Sequence, residues 1–175
     1  TKISCPEGVI SPGLINAHDH ITYAQNRPHK DSGERYEHRH DWRKGLGCHT
    51  IINTSGGASD DQIRWGELRF LLGGATSILG TGSATGPVRN LDKLDQEGLG
   101  QPPVELDTFP LGDSGGAKIA KGCGYPFITK AASVTAPAYI AHVAEGIDVF
   151  ARNEFACMSR EADGGQDLVR PGSAF

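Results

Sequence analysis

Hydrophobic and polar positions along this chain switch between two spacings. Residues 9–17 form an apolar run that reads as a strand leading into His18 and His20, with Asp19 between them. Residues 22–50 are polar, rich in His and Arg, and interspersed with Tyr23, Tyr36 and Trp42. They read as a long loop with one helical turn at most, and loops of that length are usually functional or mobile. Ser59, Asp60 and Asp61 can cap a helix carrying Ile63, Leu68, Leu71 and Leu72, with Gly73 and Gly74 ending it. The β-branched run 75–79 reads as a buried strand. Strands are expected again at 88–91, 104–111 and 138–142, with a helix over 91–99 and another capped by Asp148 that carries Val149, Phe150, Phe155 and Met158.

Strand and helix thus alternate, the pattern of a parallel sheet with crossover helices. The expected fold class is α/β. A complete (β/α)8 barrel takes about 250 residues, so the 175 residues here hold about five strand-helix units. Either the sheet is open and doubly wound or the barrel is partial. There is no internal repeat, low-complexity tract or evident linker. The first residue is not Met and the last segment carries no stop signal, so a fragment is expected.

Composition narrows the function classes. An apolar fraction of 37% and a charged fraction of 22% suit a soluble globular chain. The net charge of -4 argues against nucleic acid as the main partner, since phosphate binding wants a basic face. No apolar run approaches the roughly 20 residues that span a bilayer, and residues 1–5 do not begin a secretory leader. Cys5, Cys48, Cys123 and Cys157 are scattered without a Cys-x-x-Cys pair, and are expected to be free thiols in a reducing, cytoplasmic setting.

The candidate chemistry lies in the histidines. His18 and His20, two apart at a strand's end, point to one side and can reach one metal ion. His142 and Glu145 form His-x-x-Glu at another strand end, where a turn lets both enter one site. His142 then reads as a third ligand, and Glu145 as either a proton shuttle or an ordinary helix-start carboxylate. His38-x-His40 lies in the polar loop and reads as solvated or substrate-facing. Asp113 and Ser114 read as a turn, and Lys118, Lys121 and Lys130 as surface lysines. Tyr36 and Trp42 either line a pocket or are partly buried. No Gly-x-Ser-x-Gly elbow, Gly-x-Gly-x-x-Gly turn or P-loop lysine motif follows a strand.

The run Pro12-Gly13-Leu14-Ile15-Asn16-Ala17-His18-Asp19-His20 resembles the first-strand signature of the amidohydrolase superfamily. Ala141-His142-Val143-Ala144-Glu145-Gly146 is similar to its fifth-strand motif in the branch holding cytosine deaminase, guanine deaminase and the triazine hydrolases. Gly74-Ala75-Thr76-Ser77-Ile78 is similar to its second strand. The resemblance covers about residues 9–175. It implies a partial metal-dependent hydrolase barrel over 9–175, preceded at 1–8 by the end of a flanking β-sandwich segment.

It further implies one divalent metal ion, zinc or iron, held by His18, His20 and His142, with Glu145 as catalytic proton shuttle. Binuclear branches carry a fourth-strand lysine, and residues 106–112 contain none. The implied reaction is attack of a metal-activated water on a C–N bond, hydrolytic deamination of a nitrogen heterocycle, on a small-molecule substrate. Substrate-binding residues are not assigned, and a homo-oligomer is compatible with the sequence. The family's sixth-strand His and eighth-strand Asp have no counterpart, so the chain alone is expected to be weakly active or inactive. The competing expectation is a truncated, inactive fragment or a half-barrel that acts only by assembly with another chain.

Overall fold

The computed structural model describes all residues except 1–3, 5, 81–83, 94–99 and 101. The described residues hold strands β1 (Leu14–Asn16), β2 (Ala75–Ile78), β3 (Arg89–Asn90), β4 (Glu105–Asp107), β5 (Tyr139–Ala141) and β6 (Ser173–Ala174). Its helices are α1 (Arg39–Lys44), α2 (Asp60–Leu72) and α3 (Val149–Met158). The chain divides into two compact units. One is Thr1–Gln25 with Gly56–Leu99, and the other is Asn26–Ser55 with Gly100–Phe175.

The first unit holds the parallel sheet β1-β2-β3, with α2 as the crossover from β1 to β2. Ser59 caps α2 as its sequence predicts. Its hydroxyl accepts from the Gln62 amide, and the Gln62 side chain accepts from the Ser59 amide at 2.8 Å. The buried face of α2 is Ile63, Gly66 and Glu67, whereas Leu68 and Leu72 are exposed. Ile63 packs with Ile21, Ile78, Ala84 and Val88 to make this unit's core. A side chain at Gly13 would collide with the Thr76 side chain, so the Pro-Gly pair before β1 lets that strand lie close against β2.

The second unit holds the parallel sheet β4-β5-β6, with α3 crossing from β5 to β6. Asp148 caps α3, its carboxylate accepting from the Ala151 amide at 2.8 Å. The core packs Leu111, Tyr125, Val134, Tyr139, Ala141, Val143, Met158 and Leu168 around Cys123 and Cys157. Those two cysteines are joined as a disulfide, with Cα atoms 5.5 Å apart. The expectation of free thiols is therefore wrong for this pair. Cys48 is free and exposed, and Cys5 lies outside the described residues.

A partial (β/α)8 barrel is not what forms. The described strands make two three-stranded sheets, not one five-stranded wall, and among the described residues an α-helix crosses over from β1 to β2 and from β5 to β6 but not from β4 to β5. Residues 108–138, which connect β4 to β5, contain no α-helix, only one 3-10 turn at Ala131–Ser133. Glycine and proline contribute to that coil, since Gly112, Gly115, Gly116, Gly122, Gly124 and Pro126 break up residues 110–126, while residues 127–136 carry the β-branched Ile128, Thr129, Val134 and Thr135. The strands are shorter than the apolar runs suggest. Residues 9–13 lie outside β1 with Val9 and Ile10 almost fully exposed, and the 104–111 run pairs only over Glu105–Asp107. The helix expected at 91–99 falls largely on residues outside those described.

Candidate functional site

The first unit places His18 and His20 in a bend just past β1, not on the strand itself. Asp19 fixes the bend. Its amide donates to the Leu79 carbonyl at 2.9 Å, and its carboxylate accepts from the Asn16 side chain at 3.2 Å. The Leu79 amide in turn donates to the Asn16 carbonyl. With Asp19 held on both sides, the flanking imidazoles converge, and their Nε2 atoms lie 3.3 Å apart. Two nitrogens on one tetrahedral ion, each about 2.0–2.1 Å from it, stand roughly 3.3 Å apart. The separation of this exposed pair therefore fits two ligands of one divalent ion.

The second unit places His142 directly after β5, with its amide donating to the Asp107 carbonyl at 2.9 Å and its side chain buried. Glu145 follows on a turn. Ala144 takes a left-handed conformation at φ 58°, and the Gly146 amide closes the turn on the Ala144 carbonyl. A Cβ at Gly146 would stand 2.5 Å from the Glu37 carbonyl oxygen, because His38 bridges to Gly146 there. The glycine of this motif thus lets residues 37 and 38 approach.

Arg39 joins His142 and Glu145. One guanidinium nitrogen, Nη1, donates to Glu145 Oε2 at 3.0 Å, to the Thr108 carbonyl at 3.2 Å and to the His142 carbonyl. The other, Nη2, donates to Asp113 Oδ2 at 2.5 Å. Phe109 lies beneath both Arg39 and Arg43, with their guanidinium carbons 4.9 and 4.4 Å from the ring centre. Burial pushes the Asp113 carboxyl up, but the His40 hydrogen bond and the Arg39 charge outweigh it and hold it below the usual carboxylate value.

His38 and His40 are fully buried, contrary to the solvated loop read from their sequence. Their ligand atoms lie within 4.8 Å of a Glu154 carboxylate oxygen, so this buried group could hold a metal ion. Hydrogen bonding gives the three another use. His38 Nδ1 accepts from the His40 amide, which leaves its Nε2 to donate to Glu154 Oε1 at 2.9 Å. Arg43 donates to His40 Nδ1, leaving His40 Nε2 to donate to Asp113 at 2.8 Å. Glu154 Oε2 accepts from the Ala144 amide. Every ring nitrogen is matched to a partner, and the network binds α1 to the turn that carries Glu145.

Sequence reasoning missed this network, although α1 carries a helix signature. Asp41 stands three residues after the cap His38, Arg43 and Lys44 lie in the last turn, and Gly45 follows in the left-handed conformation. Asp113 is buried and structural, not a plain turn residue. Lys118 is mostly buried too. It bridges Asp41 at 3.0 Å and Asp148 at 2.9 Å over the Phe150 ring, beside an open cleft of about 580 Å³. Burial would lower the Lys118 ammonium, but the two carboxylates raise it. Tyr36 and Trp42 are partly buried, and the Tyr36 hydroxyl donates to the Thr50 carbonyl.

No helix among the described residues is long and apolar enough to cross a membrane. Comparison with known proteins finds no match: no protein-family model, curated protein or solved structure is similar to the chain.

Proposed function

We propose that this chain carries part of a metal-dependent hydrolase site acting on C–N bonds, with a small nitrogen heterocycle as substrate class. The observation that carries the reading is the 3.3 Å separation of the His18 and His20 Nε2 atoms on an ordered bend. The two imidazoles are exposed, whereas the other His-x-His pair, His38 and His40, is buried in hydrogen bonds to Glu154 and Asp113. The sequence motif around His142 and Glu145 resembles that of the same hydrolases and supports the same reading.

His18 and His20 would hold a divalent zinc or iron ion, which when bound would supply Lewis acidity toward a nearby water. The chain's own residues do the rest. Asp19 holds the two imidazoles in one orientation through Leu79 and Asn16. Glu145, half-exposed on its turn, can accept a proton at Oε1 and return it to a leaving amine. Arg39 holds Oε2, which fixes the direction in which Oε1 can act.

The test is ammonia release from a panel of aminopyrimidines, aminopurines and aminotriazines, using the zinc-loaded and the iron-loaded chain. Weak metal-dependent release, in keeping with the absent sixth-strand His and eighth-strand Asp counterparts, that disappears in Glu145→Gln while that variant keeps its metal is the expected result. Release unaffected by Glu145→Gln would remove Glu145 from the mechanism. No release from any member of the panel would leave this reading without support.

A further inference from the structure

We propose that Cys123 and Cys157 are an oxidation site, joined in the working protein as a structural disulfide that fastens the coil between β4 and β5 to α3. The inference does not depend on the hydrolase reading. It starts from a backbone accounting problem. Residues 108–138 have almost no regular secondary structure, so their polar groups must be satisfied from elsewhere. α3 supplies the partners from its inner face. The Asn153 side-chain amide donates to the Ile119 carbonyl at 2.9 Å and to the Gly122 carbonyl at 2.8 Å. Cys123, next in sequence, donates its amide to the Asp163 carbonyl at 3.1 Å just beyond α3. The disulfide is the covalent member of this set, one helical turn past Asn153.

Both sulfur-bearing residues are buried and belong to the core that includes Tyr139, Ala141 and Val143, the residues on either side of His142. The bond joins residues 34 apart in sequence, and the loop it closes contains β5, His142, Glu145 and most of α3. A cross-link of this span restricts the unfolded chain more than the folded one. The site also accommodates the reduced state. As thiols, Cys157 has the Gly122 carbonyl at 3.4 Å and Cys123 has the Ala162 carbonyl at 3.9 Å as acceptors. On reduction these carbonyls are at hand as acceptors, and the expected effect is a looser coil around the same core.

Oxidation proceeds by thiol–disulfide exchange with an external disulfide such as oxidised glutathione. The two cysteines together give up two protons and two electrons and form the S–S bond. The external disulfide takes up those electrons and protons and leaves as two thiols. Bonds of this kind persist where the surroundings are oxidising, which runs against the reducing setting expected from the scattered cysteines.

The full-length chain should be folded in two glutathione buffers, one mainly oxidised and one mainly reduced, then quenched in acid, alkylated and peptide-mapped. Expected in the oxidised buffer are a linked Cys123–Cys157 peptide, an alkylated Cys48, and a melting temperature higher than in the reduced buffer by roughly 10 °C. Cys48→Ser should behave as the parent chain, and Cys157→Ser should lose the redox dependence of melting. If Cys157→Ser does not fold, mapping and melting of the parent chain still decide. Separate alkylation of Cys123 and Cys157 in the oxidised buffer would overturn the proposal. So would a linked pair with identical melting in both buffers.

Discussion

Arg39 donates to Glu145 across 3.0 Å while its second guanidinium nitrogen holds Asp113, so one buried cation orients an exposed carboxylate and neutralises a buried one. Removing it should destabilise the fold. Asp113, 0% exposed in its side chain, would be left with an uncompensated charge. Breaking a buried pair from one side costs about 3–5 kcal/mol. Arg39→Gln is expected to lower the urea midpoint accordingly, whereas Arg39→Gln combined with Asp113→Asn should recover part of the loss. Equal destabilisation by the single and double variants would mean that the Arg39–Asp113 pair contributes nothing of its own.

The acidic limb of the stability curve follows from the same carboxylates. Asp113, Asp41 and Asp148 are all held below their ordinary value of 3.8 in the folded chain, against the upward push of burial, by their histidine, lysine, arginine and backbone partners. A depressed folded-state value means that the unfolded chain binds protons first as pH falls. The stability these groups contribute is complete above about pH 5 and is lost as the solution is acidified through 3.8 and then through the lower folded values. Urea midpoints measured from pH 7 down to pH 3 should fall steeply in that range. Asp113→Asn should be less stable at pH 7 and show a shallower fall. An equally steep fall in that variant would assign the acid sensitivity to other groups.

Close packing at Gly146 gives a third expectation. Its would-be Cβ stands 2.5 Å from the Glu37 carbonyl and 3.1 Å from Ala151 Cβ, both on rigid surroundings. Gly146→Ala should cost about 1–3 kcal/mol by overpacking, read as a lower urea midpoint. Gly115→Ala, whose added Cβ meets nothing within 4 Å, is the control and should be near neutral. Equal effects of the two would show that residues 37 and 38 give way.

Local signals explain which parts of this structure were legible in the sequence. The Ser59 and Asp148 caps and the strands around Ile78 and Ile140 are set by short-range chemistry, and the sequence marks them correctly. The barrel expectation failed because it assumed that each strand run would be followed by a helix. Whether residues 108–138 coil or wind is decided by long-range partners such as Asn153, Cys157 and the Asp41 and Asp148 carboxylates that hold Lys118, which spacing does not reveal. His38 and His40 were misjudged for a related reason. A run of polar residues looks solvated unless its buried partners are known, and Glu154 and Asp113 lie 116 and 73 residues away in sequence. His18 and His20 lie side by side, as their spacing predicts, because a residue pair two apart keeps its neighbours wherever the chain goes.

The most direct test of the account is the metal content of the purified chain, measured by elemental analysis beside His18→Ala and His20→Ala. The account predicts about one zinc or iron ion per chain, lost in both variants, with each variant as stable in urea as the metal-free parent because both imidazoles are exposed. No bound ion in the parent chain, or an ion retained undiminished in His18→Ala and His20→Ala, would contradict it.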